Sequence, residues 1–482
     1  MNLQHSVMLA LLPAIAIGVG ARAETFSTSE FGRNARIRAR LDAFDAHPED
    51  VLNRRARVIE NIRRSEVFGL DATAPYLEND SAANLVDELK YTDLVAMESA
   101  GLLRARLAEQ PWSGDYWPVY RGMIAKRYAE DPRHFSVDWK ANHDKYLEGA
   151  NSTSIDTLSP AEKYDLLMGD SARALTKAMW EEGRPYYERF NTVEHWMGLC
   201  HGWAPASYMM PRPAHAIEAL AADGQTRIRF YPDDLKALAT LLWAKAPAET
   251  RFIGGRCNEK TPVLDENGRL KNPDCFDTNP GTWHLSAVNQ LGHSRRSFVM
   301  DSAYDYQVWN QPLYSYSYSY FNPETREPVP SMDQAKTELK DFTKDKFQKY
   351  RSPDAVSIVG IAMDVTYMTE NPPTHNESNA ADADSRMTVT YLYDVELDQN
   401  GTIIGGEWYE KVHPDFLWSP VRGGRAQALG DRLLERARDR SRWDAHAPIP
   451  ELWQRASTIS SERGQPLARV IETLVTLSNA GL

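Results

Sequence analysis

Cys200 is the residue of this sequence best suited to nucleophilic chemistry. The chain has three cysteines, and the other two, Cys257 and Cys275, flank a polar segment typical of a disulfide loop in an exported protein. Pairing them leaves Cys200 as an unpaired thiol in an oxidising compartment. A thiolate is a strong nucleophile, so the sequence predicts covalent chemistry at Cys200. The alternative is a buried thiol that acts as a small hydrophobe.

A cysteine nucleophile needs a base, and the base needs a group that orients it. His284 is the best candidate base and Asp301 the best orienting acid. His284 is predicted to begin a strand, and Asp301 to end the next strand. If residues 292–296 join these strands in antiparallel fashion, the two side chains come within hydrogen-bond reach. The order Cys, His, Asp resembles that of papain-like and transglutaminase-like thiol folds.

Other titratable residues compete for these roles. His201 is adjacent to the thiol, but neighbouring side chains usually point apart. His195 and His293 fit general surface roles. Asp305 is the alternative to Asp301 as the orienting acid. The alternative for any lone histidine in an aromatic region is a packing role with its hydrogen bonds satisfied.

The N-terminus predicts export. Residues 8–19 form an apolar run that is too short to span a bilayer, and it ends at Ala21-Arg22-Ala23, a cleavage signal of the A-x-A type. Cleavage is expected before Glu24, although the preceding region carries His5 and no Lys or Arg. No later stretch is predicted to span a membrane. The mature chain is therefore expected to be secreted, either extracellular or periplasmic.

The composition fits a secreted globular enzyme. Of the 482 residues, 42% are hydrophobic and 10% aromatic, which is enough to build packed cores. The formal net charge is −12. Binding to nucleic acid phosphates needs clustered Lys and Arg, so nucleic acid is not expected as a partner. A monomer is the default expectation.

The chain is predicted to have three parts after the signal peptide at 1–23. Residues 24–165 are predicted to be helical, with amphipathic patterns over 36–70 and 85–110. Residues 166–420 form the predicted catalytic domain, and 421–482 a charged helical tail.

Within the catalytic part the pattern changes from helix to strand after about residue 280. Tyr and Ser alternate over Tyr314 to Tyr320, which puts every Tyr on one face of a strand. Residues 356–368 and 387–396 are β-rich, and the second leads through Asp398-Gln399-Asn400-Gly401 into a predicted hairpin. Pro205 limits any helix that follows Cys200. The fold class predicted is α+β, with a helical part and an antiparallel sheet.

Three segments resemble the transglutaminase elicitor family, the secreted cell-wall transglutaminases of oomycetes and their marine bacterial relatives. Val308-Trp309-Asn310-Gln311-Pro312 matches the start of the surface peptide by which plants recognise the oomycete enzymes. Residues 199–206 and 283–289 resemble the family's cysteine and histidine segments. After Pro312 the chain continues Leu313-Tyr314-Ser315-Tyr316, unlike the rest of that peptide.

The resemblance implies a papain-like thiol core and protein-glutamine γ-glutamyltransferase activity. Cys200 would form a thioester with a substrate glutamine, His284 would transfer protons, and Asp301 would orient His284. The implied partners are proteins that carry Gln and Lys side chains. Tryptophans near these residues in sequence are candidates for an apolar wall or for oxyanion donors: Trp196, Trp203, Trp283 and Trp309.

The chemistry requires no cofactor, but the resemblance raises calcium dependence. The candidate oxygen clusters are Asp265-Glu266-Asn267-Gly268 and Asp398-Gln399-Asn400-Gly401, and both fit tight turns better than a calcium loop. Two other functions stay open. One is a cysteine peptidase or glutamine deamidase that uses the same three residues with water as acceptor. The other is a non-enzymatic secreted protein that interacts with a host.

Overall fold

The computed structural model describes most of the chain from residue 30 to residue 480. The described ranges are 30–46, 80–130, 135–147, 154–256, 275–303 and 306–480, together with residues 259, 263 and 272. The predicted signal peptide, Cys257, Asp305 and the turn at 265–268 lie outside the described residues.

The described helices are concentrated in the first half and at the C-terminal end. They are α1 (Glu30–Ala46), α2 (Leu94–Ser99), α3 (Trp139–Leu147), α4 (Pro160–Met168), α5 (Ala174–Glu181), α6 (Arg184–Phe190), α7 (Cys200–Met209), α8 (Pro232–Lys245), α9 (Pro280–Ala287), α10 (Met332–Ala335), α11 (Leu429–Arg436), α12 (Glu451–Ser461) and α13 (Ala468–Ala480). The last three confirm the predicted helical tail.

The strands follow mainly after residue 215. They are β1 (Arg104–Arg106), β2 (Ile217–Leu220), β3 (Arg227–Phe230), β4 (Thr250–Gly254), β5 (Val299–Asp301), β6 (Asn310–Phe321), β7 (Pro328–Val329), β8 (Lys336–Glu338), β9 (Ser357–Met368), β10 (Arg386–Leu397), β11 (Ile403–Trp408) and β12 (Phe416–Pro420). The mixture of helices and strands confirms the predicted α+β class.

One antiparallel sheet dominates the described residues. Its main path runs β11-β10-β9-β6-β5-β12-β4, while β1 and β7 also pair with β6 and β8 pairs with β9. The β10–β11 pair is the hairpin predicted around Asp398. The separate pair β2–β3 is a small hairpin. Strand β6 is central because it reaches both the long strands and the short ones near Cys200.

Successive side chains of β6 point to opposite faces of the sheet. Tyr318 is buried and its ring packs edge-on against His284 of α9. Ser319 points the other way and accepts a 2.6 Å hydrogen bond from Arg33 of α1. Successive strand residues face opposite sides, so α9 and α1 cover opposite faces. The predicted tyrosine stripe is therefore a packing surface.

The thiol helix α7 begins at Cys200 and packs closely on α8. A Cβ atom on Gly202 would lie 2.2 Å from the Thr240 carbonyl oxygen, so only glycine permits this approach. Pro205 lies inside α7 and does not end it. Since proline has no N–H, the helix loses one internal hydrogen bond at this point, but it continues to Met209.

The predicted strand over residues 284–289 is wrong. This segment forms α9 and then a π-helix, Val288–His293. The Asn279 side chain accepts a hydrogen bond from Gly281 N, and Pro280 occupies the first turn, which are both helix-start signals. The strand expected to end at Asp301 is present as β5, but no strand carries His284 beside it.

The amphipathic pattern over residues 85–110 also gives less helix than expected. It contains only the short helix α2 and then strand β1, whose Ala105 pairs with Tyr316 of β6. Among the described residues, no helix is both long enough and apolar enough to cross a membrane.

A buried ion pair anchors α8, which supports the thiol helix. Lys163 of α4 donates a 2.6 Å hydrogen bond to Asp234 of α8, and both side chains are fully buried. Asp234 also accepts hydrogen bonds from the Tyr128 hydroxyl and the Tyr231 N–H. These partners satisfy the carboxylate, which would otherwise be costly to bury.

Replacing Lys163 with Met is expected to lower the free energy of unfolding by about 3–5 kcal/mol, because it leaves the Asp234 carboxylate buried without its cation. Urea unfolding followed by circular dichroism measures the loss. The control is Arg455→Ala, which removes an exposed partner of Glu451 and is expected to leave the midpoint unchanged. Equal stability of the Met variant and the wild type would contradict the assignment.

Candidate functional site

Cys200 lies at the floor of a cleft of about 460 Å³. It is the first residue of α7 and its side chain is buried. N–H groups in the first turn of a helix have no intrahelical acceptor and carry partial positive charge. The aromatic residues that line the cleft are Tyr186, Trp196, Phe252, Phe416 and Trp418. The charged and titratable residues that line it are Glu182, His201, Lys245 and Arg256.

The thiol is hydrogen-bonded by two residues, one just before β6 and one at its start. The sulfur donates to the Val308 carbonyl oxygen at 3.6 Å, and Asn310 Nδ2 donates to the sulfur at 3.5 Å. Asn310 Oδ1 in turn accepts a 2.7 Å hydrogen bond from Trp418 Nε1. Burial raises the pKa of Cys200 to about 11, although the Asn310 side-chain and backbone N–H groups act to lower it. The resting side chain is therefore a neutral thiol.

Asp301 lies beside the thiol, as the sequence predicts for a member of the site. It ends β5 directly opposite Asn310 of β6. Asp301 Oδ1 accepts hydrogen bonds from Trp309 N at 2.8 Å and Ala303 N at 3.1 Å. The bond from Trp309 holds the segment that carries Val308 and Asn310, and the bond from Ala303 holds the turn directly after β5. The charge of Asp301 also raises the pKa of Cys200.

Glu370 is a member of the site that the sequence analysis missed. It follows the end of β9, and its Oε1 accepts a 3.0 Å hydrogen bond from Gln311 Nε2. Burial raises the pKa of Glu370 to about 7. The charge of Glu370 raises the pKa of Cys200 more than the charge of Asp301 does. The only local sequence signal, Asn371-Pro372, indicates a loop and says nothing about chemistry.

Another acid, Asp115, extends this negative environment. Burial raises the pKa of Asp115, and its charge acts on Glu370. The following residue, Tyr116, accepts a 2.5 Å hydrogen bond at its carbonyl oxygen from Leu199 N, immediately before the thiol. Burial is the main reason why the Cys200 thiol is held in the protonated form, and the charges of Glu370 and Asp301 add to it.

The structure does not bring His284 to Cys200. His284 is fully buried in α9, with Nδ1 2.9 Å from the Tyr393 hydroxyl and its ring against Tyr318. Cys200 contacts Asn310, which lies eight residues from Tyr318 on β6, about 26 Å along an extended strand. Burial lowers the pKa of His284 to about 3. A neutral packing histidine fits this position.

None of the other candidate histidines takes the place of His284 as a base beside the thiol. His195 Nε2 lies 3.1 Å from the Val137 carbonyl oxygen, and His293 Nε2 lies 3.1 Å from Glu88 Oε2. His201 lies on the rim of the cleft with an exposed side chain. Within the described part of the chain, no histidine hydrogen-bonds to the Cys200 sulfur. The predicted arrangement of Cys, His and Asp is therefore not assembled in the described residues.

The four tryptophans predicted as wall or oxyanion residues separate into different roles. Trp196 lines the cleft. Trp309 lies in the segment held by Asp301, and its Nε1 donates to Gln307. Trp203 and Trp283 are fully buried core residues; Trp283 packs against Tyr391 on the α9 side of the sheet. The indole that hydrogen-bonds to Asn310, the residue that contacts the thiol, belongs to Trp418, which the sequence analysis missed.

No group of three or more His, Cys, Asp or Glu side chains among the described residues could hold a metal ion. At the turn beginning with Asp398, the carboxylate caps backbone N–H groups of Asn400 and Thr402 at 2.8 Å. Cys275 is buried, but Cys257 lies outside the described residues, so the disulfide stays a prediction.

Comparisons with known proteins find a family model that matches the sequence and a solved structure with a similar fold. The sequence model of the family described as transglutaminase elicitor matches residues 88–432. The fold is similar to the crystal structure of the GP42 transglutaminase from Phytophthora sojae, with a TM-score of 0.51 and 18% identity, covering 81% of this chain and 94% of that one. No curated protein matches the sequence.

The position of His284 predicts a small effect on the thiol. In His284→Asn, the rate at which iodoacetamide alkylates Cys200 is expected to stay within about twofold of wild type, since proton transfer needs hydrogen-bond reach. Mass spectrometry of the tryptic peptide containing Cys200 measures the rate, and Cys200→Ala gives the background. A fall of about a hundredfold, with the fold intact by circular dichroism, would show that His284 acts on the thiol.

Proposed function

Because this chain belongs to the transglutaminase elicitor family, we propose that it is a protein-glutamine γ-glutamyltransferase whose nucleophile is Cys200. The observation that carries the proposal is the thiol itself. It heads a helix at the floor of an aromatic cleft and is hydrogen-bonded by a residue of the neighbouring strand.

In the first half-reaction the Cys200 sulfur attacks the side-chain carboxamide carbon of a substrate glutamine. The thiol proton passes to a nearby carboxylate as the carbon–sulfur bond forms. The tetrahedral intermediate then collapses, the carbon–nitrogen bond breaks, and the same proton leaves with ammonia. The product is a thioester between Cys200 and the glutamyl group.

In the second half-reaction the neutral amine of a lysine side chain attacks the thioester carbon. The amine gives a proton to the carboxylate, the carbon–sulfur bond breaks, and the proton returns to the departing sulfur. The net change exchanges ammonia for the lysine amine and leaves an isopeptide bond. Proteins that carry Gln and Lys side chains are thus the proposed substrates.

Glu370 acts on the thiol through its charge and makes no direct hydrogen bond to the sulfur, so it is proposed to accept the proton through one bridging water molecule. A general base works best when its pKa lies near the working pH, and burial raises the pKa of Glu370 to about 7. Asp301 serves instead as a positioning residue. Its hydrogen bond from the Trp309 backbone N–H holds the segment that supplies Val308 and Asn310 to the sulfur.

The aromatic rings of the cleft support transfer in preference to hydrolysis. Trp196, Phe416 and Trp418 line the cavity above Cys200. An apolar wall lowers the local concentration of water and offers a surface for the aliphatic part of a lysine side chain. The thioester then meets an amine more often than a water molecule.

The test of the proposed function is amine incorporation. The purified mature chain is incubated with a glutamine-bearing protein and a labelled primary amine, with and without calcium. Label is expected to enter the protein in the wild type and to be lost in Cys200→Ala, because the thioester can no longer form. Activity that survives Cys200→Ala would contradict the mechanism.

The same assay separates the alternatives. Release of ammonia or cleavage of peptide bonds without incorporation of the amine would identify a deamidase or peptidase. A wild-type protein inactive in all three assays, both with and without calcium, would favour a non-enzymatic interaction protein.

The proposed base predicts a pH dependence. Glu370 must be ionised to accept the proton, so kcat is expected to fall as pH decreases through about 7. Glu370→Gln should lower kcat about a hundredfold or more and remove this acid limb. The control is Glu377→Gln, which changes an exposed carboxylate paired with Arg229 and should leave the profile unchanged. An unaltered acid limb in Glu370→Gln would assign it to another group.

A further inference from the structure

The orientation of the Asn310 side chain is determined by its chemistry. An indole N–H can only donate a hydrogen bond, and Trp418 Nε1 lies 2.7 Å from one end of the Asn310 amide. That end must therefore be the oxygen, Oδ1. The other end, Nδ2, consequently faces the Cys200 sulfur at 3.5 Å. Trp418 thus excludes the flipped amide, which would turn an oxygen toward the sulfur.

The support around Asn310 is rigid. Its side chain is buried, and its backbone pairs with Asp301 of β5. Trp418 lies on β12, which also pairs with β5, where Trp418 is opposite Val299. The three strands therefore fix the distance between the indole and the amide.

Asn310 is the source of the favourable hydrogen bonds that a thiolate at Cys200 would receive. Its side-chain and backbone N–H groups both lower the pKa of Cys200, whereas the charges of Glu370 and Asp301 raise it. The Val308 carbonyl oxygen accepts from the neutral thiol and would repel a thiolate. Loss of the Asn310 amide would leave a negative sulfur among acidic groups with one donor fewer.

We propose that Asn310 is a catalytic hydrogen-bond donor and that Trp418 is the residue that positions it. The side-chain N–H of Asn310 stabilises the thiolate as it forms. It then donates, together with the backbone N–H of Cys200, to the oxyanion of the tetrahedral intermediate. The second role rests on the proposed acyl-transfer function, while the first concerns the thiol alone.

Alkylation of Cys200 tests the first role without any substrate. Asn310→Leu keeps a side chain of similar size without a donor, and Trp418→Phe keeps an aromatic ring without the indole N–H. At a fixed pH of about 9, Asn310→Leu is expected to slow alkylation by iodoacetamide about five- to tenfold, as the pKa of the thiol rises by nearly one. Trp418→Phe should slow it about threefold, because the amide can now flip.

The matched control is Trp443→Phe. Trp443 does not line the cleft, and its indole N–H donates to the Ala447 carbonyl oxygen instead of Asn310. Alkylation in this variant should match the wild type. Thermal unfolding of each variant shows whether the fold is retained, and Trp418→Phe still tests the proposal if Asn310→Leu does not fold.

The second role is tested by kinetics of amine incorporation. Loss of a side-chain oxyanion donor is expected to lower kcat about a hundredfold or more in Asn310→Leu, with little change in KM for the glutamine substrate. Wild-type alkylation rates in a folded Asn310→Leu would overturn the assignment of Asn310. A wild-type rate in Trp418→Phe would overturn the positioning role. If the wild type fails to transfer an amine but the alkylation rates differ as stated, the transferase function fails and the thiol donor stands.

Discussion

The hydrogen bond between Asn310 and the Cys200 sulfur connects the two structural layers on which the site depends. One partner heads the thiol helix α7, which packs on α8 through the close approach at Gly202. The other begins β6, the strand that joins the long and short parts of the sheet. Any shift of α7 against the sheet would separate the sulfur from its donor. The buried pair Lys163–Asp234 and the glycine contact resist such a shift.

The acidic surroundings of the thiol determine which chemistry is available to it. A buried thiol near Glu370 and Asp301 stays protonated, with its pKa raised to about 11. It therefore needs a base that acts only as the sulfur attacks, together with donors that stabilise the developing charge. Glu370, with a pKa near 7, can act as that base. The Asn310 amide can donate the hydrogen bond that stabilises the developing charge. This arrangement also protects a resting thiol from reactions that require a thiolate.

The sequence correctly indicates the fold class, and two of its candidate site residues, Cys200 and Asp301, lie close together in the structure. The strand predicted at His284 is wrong, because apolar residues in a buried helix lack a clear period, even though Asn279-Pro280 is a helix-start signal. Residues whose role depends on pairing across the sheet could not be found. Glu370 and Trp418 reach the site from β9 and β12, and no local pattern shows that these strands end beside residue 200. Asn310 lay inside a recognised motif, but its donor role appears only with the Trp418 contact.

Trapping the acyl-enzyme tests the central claim most directly. The protein is incubated with a glutamine-containing donor peptide without any amine, quenched in acid, and its Cys200 peptide is analysed by mass spectrometry. The account predicts an adduct on Cys200 equal to the donor peptide less one ammonia, and its disappearance when a primary amine is added before quenching. An adduct on another residue, or efficient transfer in a protein whose Cys200 never carries the donor, would contradict it.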